Sequence, residues 1–582
     1  MRSFFKIFFA CFLALIIFCL VGFFLLVGAV AALGSKDKTK VDTKTVLTLN
    51  LSQHFKEKKQ SNPFAKFSDD ETDAPGLYDV IRLIRAAKTD NNISGIYIIA
   101  NENQNGFASS HELRDALLDF KTSRKFIIAH GDVVSQKAYY VASVANHFYV
   151  SPMGAVEWAG LSAELPFLKG TLQKLNIEPQ IFYAGKFKSA TEPFRATEMT
   201  PANRLQTTVW LGNLYSIFLQ QVSKDRNIDT ATLHNLANTG AIQNAEDAFN
   251  NKLVDGLKYD DQVKDEIKKN LGLDKNGKIN FISLGKYADA ADYKLSGSDR
   301  IALIYAEGDI VDGNGTNDNI ASNDYIKLVR KARQDKSVKA IVFRINSGGG
   351  SALASENIWR ELALAKGEKP VIVSMGDVAA SGGYYVSCIA DSIFASSNTI
   401  TGSIGVFTMI PNLKGFFNDK LGITFDGVKT APYADAGSVY RPLTETEKKF
   451  AQDGVDRIYM QFKQRVAQGR KKDVGYIDSI AQGRVWSGSD ALQLGLVDRI
   501  GGLQAAIDCA ARMAKVSKYR LREYPEEENF FKRLFNKTNN DPATQMRAQV
   551  GEENYRIYEQ MIKLKQLFGV PQARMPFDVF IH

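Results

Sequence analysis

Cysteine is scarce in this chain, which has four in 582 residues and no CxxC pair. Cys11 and Cys19 lie in an apolar N-terminal stretch, and Cys388 and Cys509 stand far apart. This pattern offers neither a disulfide framework nor the ligand spacing of a zinc site. We therefore expect no metal and no cofactor.

Clustered basic charge is also missing, since no block of five or more lysine and arginine residues occurs. The formal net charge of +9 is mild for a chain of this length. Nucleic acid is therefore not an expected partner. The apolar fraction of 45% and the charged fraction of 24% are ordinary for globular protein, and the length allows several domains.

Charge of either sign is absent from Ile7 to Leu33. A helix needs about 20 apolar residues to cross a bilayer core, so this run is long enough to span it. A cleaved signal peptide is the competing interpretation, because residues 29–31 resemble its cleavage site, but its apolar region should be only about 7 to 15 residues long. We therefore expect a retained transmembrane anchor over residues 1–34. Lysines on both sides of the run leave its orientation open.

What the chain does contain is a long internal repeat. The stretch "HGDVVSQKAYYV" (130–141) returns as "MGDVAASGGYYV" (375–386), with a constant offset of 245 positions. The same offset relates further identical residues on the upstream side, namely Ile96, Asn101, Ser110, Leu117, Lys121 and Ile127, to Ile341, Asn346, Ser355, Leu362, Lys366 and Ile372. An ungapped match of this length predicts two tandem domains of like fold.

The predicted organisation is an anchor (1–34), a first repeat (35–295), a second repeat (296–525) and a C-terminal tail (526–582). The tail mixes charged and aromatic residues, which suggests amphipathic helices that dock on a neighbour or a membrane surface. The two copies differ at one telling position, because the first has Gln136 where the second has Ser381. We infer that one copy carries out chemistry and the other does not.

The second repeat has the pattern of an α/β fold. Apolar runs typical of buried strands alternate with amphipathic runs typical of helices, namely "RIALIYAEGDI", "NDYIKLVRKARQD", "VKAIVFRIN", "SGGGSALASENIWRELALA", "KPVIVSM" and "SGGYYVSCIA". This alternation predicts a mainly parallel sheet, whose ligands bind beyond the carboxyl ends of the strands. The glycine turns at 347–350 and 381–383 fall at that edge.

Ser381 could act as a nucleophile only if a base took its proton. Histidine is the usual base, but no histidine lies in the second repeat; the six in the chain are His54, His111, His130, His147, His234 and His582. A lysine can serve instead if burial lowers its pKa toward neutrality. The best candidates lie in "KFKSATEPF", where Lys186 and Lys188 alternate around Phe187 so that one can point inward and the other outward. These residues alone do not decide between the two lysines, and a solvated lysine is the ordinary alternative.

The motifs "KFKSATEPF", "NSGGGSALASE", "VAASGGYYV" and "TGSIGV" together resemble the long, two-repeat form of signal peptide peptidase A. This is a family of membrane-anchored serine proteases of bacterial envelopes, with a fold similar to ClpP and crotonase. The resemblance extends from the anchor to about residue 525, with the motifs in the same order and at the same spacing. It implies an α/β fold of two tandem ClpP/crotonase-like repeats behind an N-terminal transmembrane helix.

The resemblance also implies roles for individual residues. Ser381 matches the nucleophile, Lys188 the general base and Ser403 the serine that orients the lysine. The backbone N–H groups of Gly350 and Gly382 match the oxyanion hole. The chain departs from the family at "SGGGS", where "SPGGS" is common, because Gly348 replaces the proline and loosens the turn before Gly350.

The division of these residues between the repeats implies that neither repeat is active alone. Lys188 comes from the first repeat, and a local offset of 242 places Thr430 at the corresponding position of the second. Whether Lys188 and Ser381 meet within one chain or between chains stays open. A groove shared by unlike repeats favours closure by a neighbouring subunit, and the family resemblance implies a homo-oligomer, specifically a tetramer.

The expected function is a membrane-anchored serine endopeptidase with a Ser–Lys dyad. The resemblance implies that it degrades cleaved signal peptides and other short apolar peptides, at the inner membrane with its ectodomain in the periplasm. Two alternatives remain, a crotonase-like acyl-CoA enzyme and a non-catalytic envelope scaffold. A GxSxG hydrolase and a P-loop are disfavoured, since Ala379 stands two residues before Ser381 and no Gly-Lys-Ser/Thr follows the 347–350 turn.

Overall fold

The computed structural model describes residues 2–34, 40–59, 75–315, 318–526, 571–575 and 580–581. Within them the strands are, in chain order, β1 (Thr45–Asn50), β2 (Ile93–Ile99), β3 (Phe126–Val134), β4 (His147–Val156), β5 (Ala163–Glu164), β6 (Glu178–Ala184), β7 (Gly256–Leu257), β8 (Phe281–Ser283), β9 (Asp299–Glu307), β10 (Asp309–Val311), β11 (Asn319–Ala321), β12 (Val338–Ser347), β13 (Gly349–Ser351), β14 (Val371–Ala380), β15 (Ser392–Ala395), β16 (Ile400–Gly402), β17 (Val406–Asn412), β18 (Val485–Ser487), β19 (Arg499–Ile500), β20 (Tyr519–Tyr524), β21 (Gln572–Arg574) and β22 (Phe580–Ile581).

The α-helices alternate with these strands over most of the described chain. They are α1 (Arg2–Gly34), α2 (Leu77–Thr89), α3 (Phe107–Lys121), α4 (Gln136–Ala142), α5 (Lys169–Lys174), α6 (Glu192–Arg195), α7 (Pro201–Arg226), α8 (Thr230–Asn238), α9 (Ala245–Asn250), α10 (Asp260–Leu271), α11 (Leu284–Ala290), α12 (Ser322–Gln334), α13 (Ala352–Lys366), α14 (Gly382–Ser387), α15 (Glu445–Arg470), α16 (Val474–Ile480), α17 (Gly488–Gln493) and α18 (Leu503–Met513). A 3₁₀ turn spans Ser189–Thr191, and a π-helical turn spans Phe416–Leu421.

The first repeat is built on a parallel sheet of six strands in the order β7-β4-β3-β2-β1-β8. Its central strands are apolar on both faces, as expected for a sheet that helices cover on both sides. Ile127 and Ala129 of β3, for example, are fully buried in the main core of this repeat, and Ile128, on the opposite face of the strand, is fully buried in a second cluster. The strands therefore place their carboxyl ends along one edge.

The second repeat repeats this plan with the strand path β18-β16-β14-β12-β9-β20, to which β15 and β19 are added beside β14. All of its pairings are parallel except the one between β16 and β18. Most strands and helices predicted in this repeat are confirmed. The single strand predicted over "RIALIYAEGDI" was wrong, because the chain turns at Gly308 (φ +102°) and divides into β9 and β10, which belong to different sheets. Strand β14 continues to Ala380, further than the predicted end at 375. The parallel α/β fold predicted from the alternation is thus present.

A third sheet joins the two repeats, in the order β11-β10-β13-β21-β17-β6. It combines β6 of the first repeat with four strands of the second and with β21 from the C-terminal segment. The pairing of β6 with β17 is antiparallel and runs from Ala184 opposite Val406 to Glu178 opposite Asn412. The amphipathic helices predicted for the tail fall on residues outside the described ones. The described residues beyond 526 contain the two short strands β21 and β22.

Buried charges also hold the repeats together. The Arg344 guanidinium, fully buried, donates to Glu57 at 2.8 Å and to Glu112 at 2.7 Å, both from the first repeat. Burial raises the pKa of Glu57 to about 7 in spite of this cation. Asp377 lies in the repeated stretch 375–386, four residues before Ser381, and accepts hydrogen bonds from the backbone N–H groups of Ala108 and Ser109. These bonds fix the edge of the second repeat against helix α3.

Helix α1 covers 33 residues, and its side chains are described at position 4 and from 6 to 22, where all are exposed. Among the described residues, no helix combines the length and the hydropathy that crossing a membrane requires. The anchor predicted over residues 1–34 therefore stays a prediction, and part of its side chains lies outside the described residues.

Candidate active site

Two adjacent strand ends bring Ser381 and Ser403 together. Ser381 follows the last residue of β14, Ser403 follows the last residue of β16, and the parallel pairing sets Ala380 beside Gly402. The backbone N–H of Ser381 donates to the carbonyl of Gly402 at 2.8 Å. Because parallel strands end at one edge, two serines 22 positions apart in sequence become neighbours.

The backbone at both serines is unusual. Ser381 has φ +54° and Ser403 has φ +50°, in a region that residues other than glycine rarely adopt. Such strain persists only where the surroundings enforce it, and it concentrates at functional sites. Both side chains are fully buried.

Lys188 reaches this edge from the first repeat because β6 pairs with β17. The strand pair holds Ala184 opposite Val406, so the chain leaving β6 runs past the chain entering β17. Lys188 lies four residues after Ala184, and Ser403 lies three residues before Val406. The inter-repeat pairing thus carries the lysine to the two serines.

The three side chains form a compact hydrogen-bonded cluster within one chain. Lys188 Nζ lies 2.8 Å from Ser381 Oγ, 3.1 Å from Ser403 Oγ and 3.2 Å from the Ser403 carbonyl oxygen. The Lys188 side chain is 1% exposed. Burial lowers the pKa of Lys188 well below its ordinary value, because an ammonium group loses its hydration there. A neutral amine that accepts a proton from Ser381 is the chemistry this arrangement favours.

The neighbouring Lys186 provides the contrast that the sequence pattern suggested. Its side chain is exposed, and its ammonium group lies 5.2 Å from the centroid of the Phe187 ring. Lys188 is thus the inward lysine of the pair and Lys186 the outward one. Regular strand alternation would put residues two positions apart on the same face, so the separation arises from the turn that the backbone makes at residues 185–187.

The loop that carries Phe187 and Lys188 packs against a turn at Gln482 and Gly483, and this turn requires glycine. Gly483 has φ +73°, and a Cβ atom there would lie 2.7 Å from both the nitrogen and the Cβ of Lys188. The Phe187 N–H donates to the carbonyl of Gln482 at 2.8 Å, which ties the loop to the same turn. The turn therefore fixes the base of the lysine side chain.

Gln206 is a site-supporting residue that sequence reasoning missed. Its side-chain amide donates to the Phe187 carbonyl at 3.0 Å and to Ser189 Oγ at 2.9 Å, and its oxygen accepts from the Val485 N–H at 3.2 Å. It thus holds the residues on both sides of Lys188. Nothing in the sequence marked it, because a glutamine within helix α7 has no pattern that sets it apart from a solvent-facing one.

The C-terminal segment lies as an extended strand next to this cluster. Strand β21 is antiparallel to β13 on one side and to β17 on the other, where Gln572 pairs with Phe407. On the β13 side Gly350 pairs with Ala573, and the Met575 N–H donates to the Gly348 carbonyl at 2.7 Å. Hydrogen-bonded pairs alternate in an antiparallel ladder, so the Gly350 N–H faces the Ala573 carbonyl.

The Ala573 carbonyl oxygen also lies beside the glycines predicted to form the oxyanion hole. A Cβ atom on Gly349 would lie 2.0 Å from this oxygen and 2.7 Å from the Gly382 nitrogen, and one on Gly382 would lie 3.0 Å from the oxygen. Gly349 also has φ +103°, so both its conformation and its surroundings require glycine. The structure thus gathers Gly350 and Gly382 around one carbonyl oxygen.

The corresponding place in the first repeat is filled differently. Gln136 is buried, and its side-chain oxygen accepts from the N–H groups of Ala159 and Gly160 at 3.1 and 3.0 Å. The first repeat therefore has a hydrogen-bonded side-chain amide at the position where the second repeat has the Ser381 hydroxyl beside Lys188. Thr430, at the position related to Lys188 by the local offset, is exposed.

Comparison with known proteins identifies relatives over most of the chain. The sequence matches Peptidase family S49 over residues 119–274 and 363–517, one match in each repeat. It is 37% identical to Protease 4 of Salmonella typhi over 79% of this chain and 75% of that protein. It is 35% identical to Protease 4 of Haemophilus influenzae (strain ATCC 51907 / DSM 11121 / KW20 / Rd) over 84% of this chain and 83% of that protein.

Similarity extends beyond bacteria and to a solved structure. The chain is 34% identical to the chloroplastic serine protease SPPA of Arabidopsis thaliana over 74% of this chain and 64% of that protein. A mutant of ClpP1 from Listeria monocytogenes overlaps 35% of this chain and 94% of its own, at 15% identity and a TM-score of 0.24.

Proposed function

Because the chain belongs to peptidase family S49 and is thus a serine peptidase, we propose that it is an endopeptidase that works with a Ser381–Lys188 dyad. One observation carries the proposal, the 2.8 Å contact between a fully buried serine hydroxyl and a buried lysine amine. The lowered pKa of Lys188 supports it, since only a neutral amine can act as a base.

In the first half of the proposed reaction, Lys188 Nζ takes the proton of Ser381 Oγ while Oγ attacks the carbonyl carbon of a peptide bond. The carbonyl oxygen becomes negative and receives hydrogen bonds from the N–H groups of Gly350 and Gly382. The proton on Lys188 then passes to the leaving amine as the C–N bond breaks, which leaves an ester on Ser381.

In the second half, Lys188 takes a proton from a water molecule that attacks the ester. The bond between carbon and Oγ breaks, the proton returns to Ser381, and the acid product leaves. Ser403 acts as a positioning residue throughout, because its hydroxyl and carbonyl oxygens hold the amine at 3.1 and 3.2 Å. Two hydrogen bonds of this kind restrict the lysine to the one direction that faces Ser381.

The proposed substrates are extended peptides, with cleaved signal peptides and other short apolar peptides as the physiological class. Strand β21 illustrates the binding mode, since it adds to the groove between β13 and β17 through backbone hydrogen bonds. The uncharged run from Ile7 to Leu33 supports an N-terminal membrane anchor. Family resemblance, and not the charge pattern, supports its place in the bacterial inner membrane with the two repeats in the periplasm. Family resemblance supports a homo-oligomer, specifically a tetramer, although one chain alone brings Lys188 to Ser381.

A serine-reactive probe tests the proposed function. A fluorophosphonate should label the folded protein at Ser381, because its phosphorus atom reacts with a serine whose proton a neighbouring base removes. Mass spectrometry of tryptic peptides identifies the labelled residue, and the Ser381→Ala variant is the matched control. Absence of labelling at Ser381 would favour the acyl-CoA enzyme or the non-catalytic scaffold, neither of which needs a nucleophilic serine.

The residue before the cleaved bond should be small or aliphatic. Ala573 is fully buried in the groove, and a charged side chain there would lose its hydration without gaining a partner. A peptide library analysed by mass spectrometry gives the cleavage profile. A clear preference for Lys, Arg, Asp or Glu just before the cut would contradict this description of the pocket, even with Ser381 and Lys188 established as catalytic.

A further inference from the structure

The C-terminal strand lies in the groove in the register of a substrate. The Ala573 carbonyl oxygen is beside Gly349 and Gly382, and Ala573 pairs with Gly350. This is the place that the carbonyl group of the cleaved bond must occupy if the N–H groups of Gly350 and Gly382 form the oxyanion hole. The bond after Ala573 is therefore the one presented to the candidate nucleophile, and Arg574 marks the position directly after the cut.

Arg574 has a specific partner in this position. Its Nη2 lies 3.0 Å from Oδ2 of Asp309, on strand β10. The parallel pairing of Ile310 with Gly350 sets Asp309 next to Gly349, on the side of that residue away from Arg574. Because Gly349 has no side chain, the arginine can extend across it to the carboxylate two strands away.

The ion pair between Arg574 and Asp309 is partly shielded from solvent, so it can contribute to the binding of a peptide. The Arg574 side chain is 17% exposed and that of Asp309 is 27% exposed. Salt screens such a partly buried pair less than it screens one on the open surface. An opposite charge at this position would instead place two carboxylates together, and such repulsion is a common source of specificity.

We propose that Asp309 is a specificity-determining residue, which selects a basic side chain directly after the cleaved bond. The inference rests on the proposed peptidase function and refines it, since it concerns the leaving side of the cut. It is compatible with a small residue before the cut, because successive side chains of a strand point to opposite faces. The preferred site is then a small residue followed by arginine or lysine.

Two synthetic peptides test the proposal on the full-length protein. One copies residues 567–578, and the other carries the change Arg574→Glu. We expect the arginine peptide to have a kcat/KM about tenfold higher, the combined effect of losing an ion pair and gaining a repulsion. The protein's own C-terminal strand competes with both peptides equally, so the ratio of the two values is unaffected by it.

Variants of Asp309 separate charge recognition from general damage. Asp309→Asn should reduce the ratio to about twofold, and Asp309→Lys should invert it in favour of the glutamate peptide. Asp312→Asn removes an exposed carboxylate from the same segment and should leave the ratio unchanged. Raising the salt concentration should shrink the ratio in the unmodified enzyme, since the preference is electrostatic.

The outcomes distinguish this inference from the proposed function. Equal hydrolysis of both peptides, or a ratio that Asp309→Lys does not move, would overturn the role of Asp309 and leave the peptidase intact. The register would be wrong if casein were hydrolysed while neither peptide was cut between its alanine and the residue that follows. Loss of casein hydrolysis in a folded, unmodified protein would instead remove the proposed function itself.

Discussion

Replacing Ser381 with alanine is expected to abolish peptide hydrolysis while the protein stays folded. The change removes the Oγ atom that forms the ester intermediate in the proposed reaction, and losses of nucleophiles of this kind typically reduce turnover by on the order of 10⁴ to 10⁶. The measurement is the initial rate of casein or signal-peptide hydrolysis, compared with the unmodified protein at equal concentration. Circular dichroism and thermal unfolding establish that the variant is folded.

Ser392→Ala serves as the matched control for this experiment. Ser392 is a buried serine at the start of β15, where it pairs with Ile372 near the opposite end of β14 from Ser381. Its replacement removes a hydroxyl of the same kind and should leave turnover nearly unchanged. If a folded Ser381→Ala variant hydrolysed casein at the normal rate, the nucleophile would have to be sought elsewhere.

Replacing Lys188 with alanine should be nearly as damaging, and replacement with arginine should not restore activity. The amine must be neutral to accept the proton of Ser381, and arginine stays charged at every accessible pH. General-base catalysis contributes roughly 10²- to 10⁴-fold, so a loss of at least this size is expected in kcat. The control is Lys186→Ala, which removes an exposed lysine two residues away and should have a mild effect.

The same assignment predicts how activity depends on pH. Lys188 is active without its proton, and burial lowers its pKa well below 10.5. Activity should therefore rise with increasing pH through this lowered pKa and then level off. A flat profile between pH 6 and 10 would count against a lysine base. A larger loss from Lys186→Ala than from Lys188→Ala would mean that the other lysine is the base.

Much of the fold could be predicted because its signals are local. Runs such as "VKAIVFRIN" are mainly apolar and rich in β-branched residues, which identified the buried strand that the structure has as Val338–Ser347. The constant offset of 245 is visible in the sequence alone and is enough to reveal the duplication. The end of β14 was less predictable, because the small residues after Met375 carry no strand signal of their own, and neighbouring β16 extends the strand to Ala380.

The C-terminal segment was the main structural feature that the sequence did not predict. Its composition suggested docked helices over residues 526–582, whereas Gln572–Arg574 is a strand. A strand of three residues has no pattern of its own, and its hydrogen-bond partners lie more than 150 positions away in sequence, at Gly350 and Phe407. For the same reason Asp309 did not stand out, because only the sheet sets it beside Arg574.

The sequence by itself determined the chemical types at the site. It distinguished Ser381 from Gln136 at equivalent positions and offered Lys186 and Lys188 as candidate bases, because a serine among glycines and alanines and lysines before small residues are local patterns. The family resemblance then selected Lys188. Only the tertiary structure decided that they meet in one chain. Ser381 and Lys188 are 193 residues apart, and their contact depends on the pairing of β6 with β17 across the two repeats. The burial that lowers the pKa of Lys188 arises from the same long-range packing, so no local stretch of sequence could have predicted this lowered pKa.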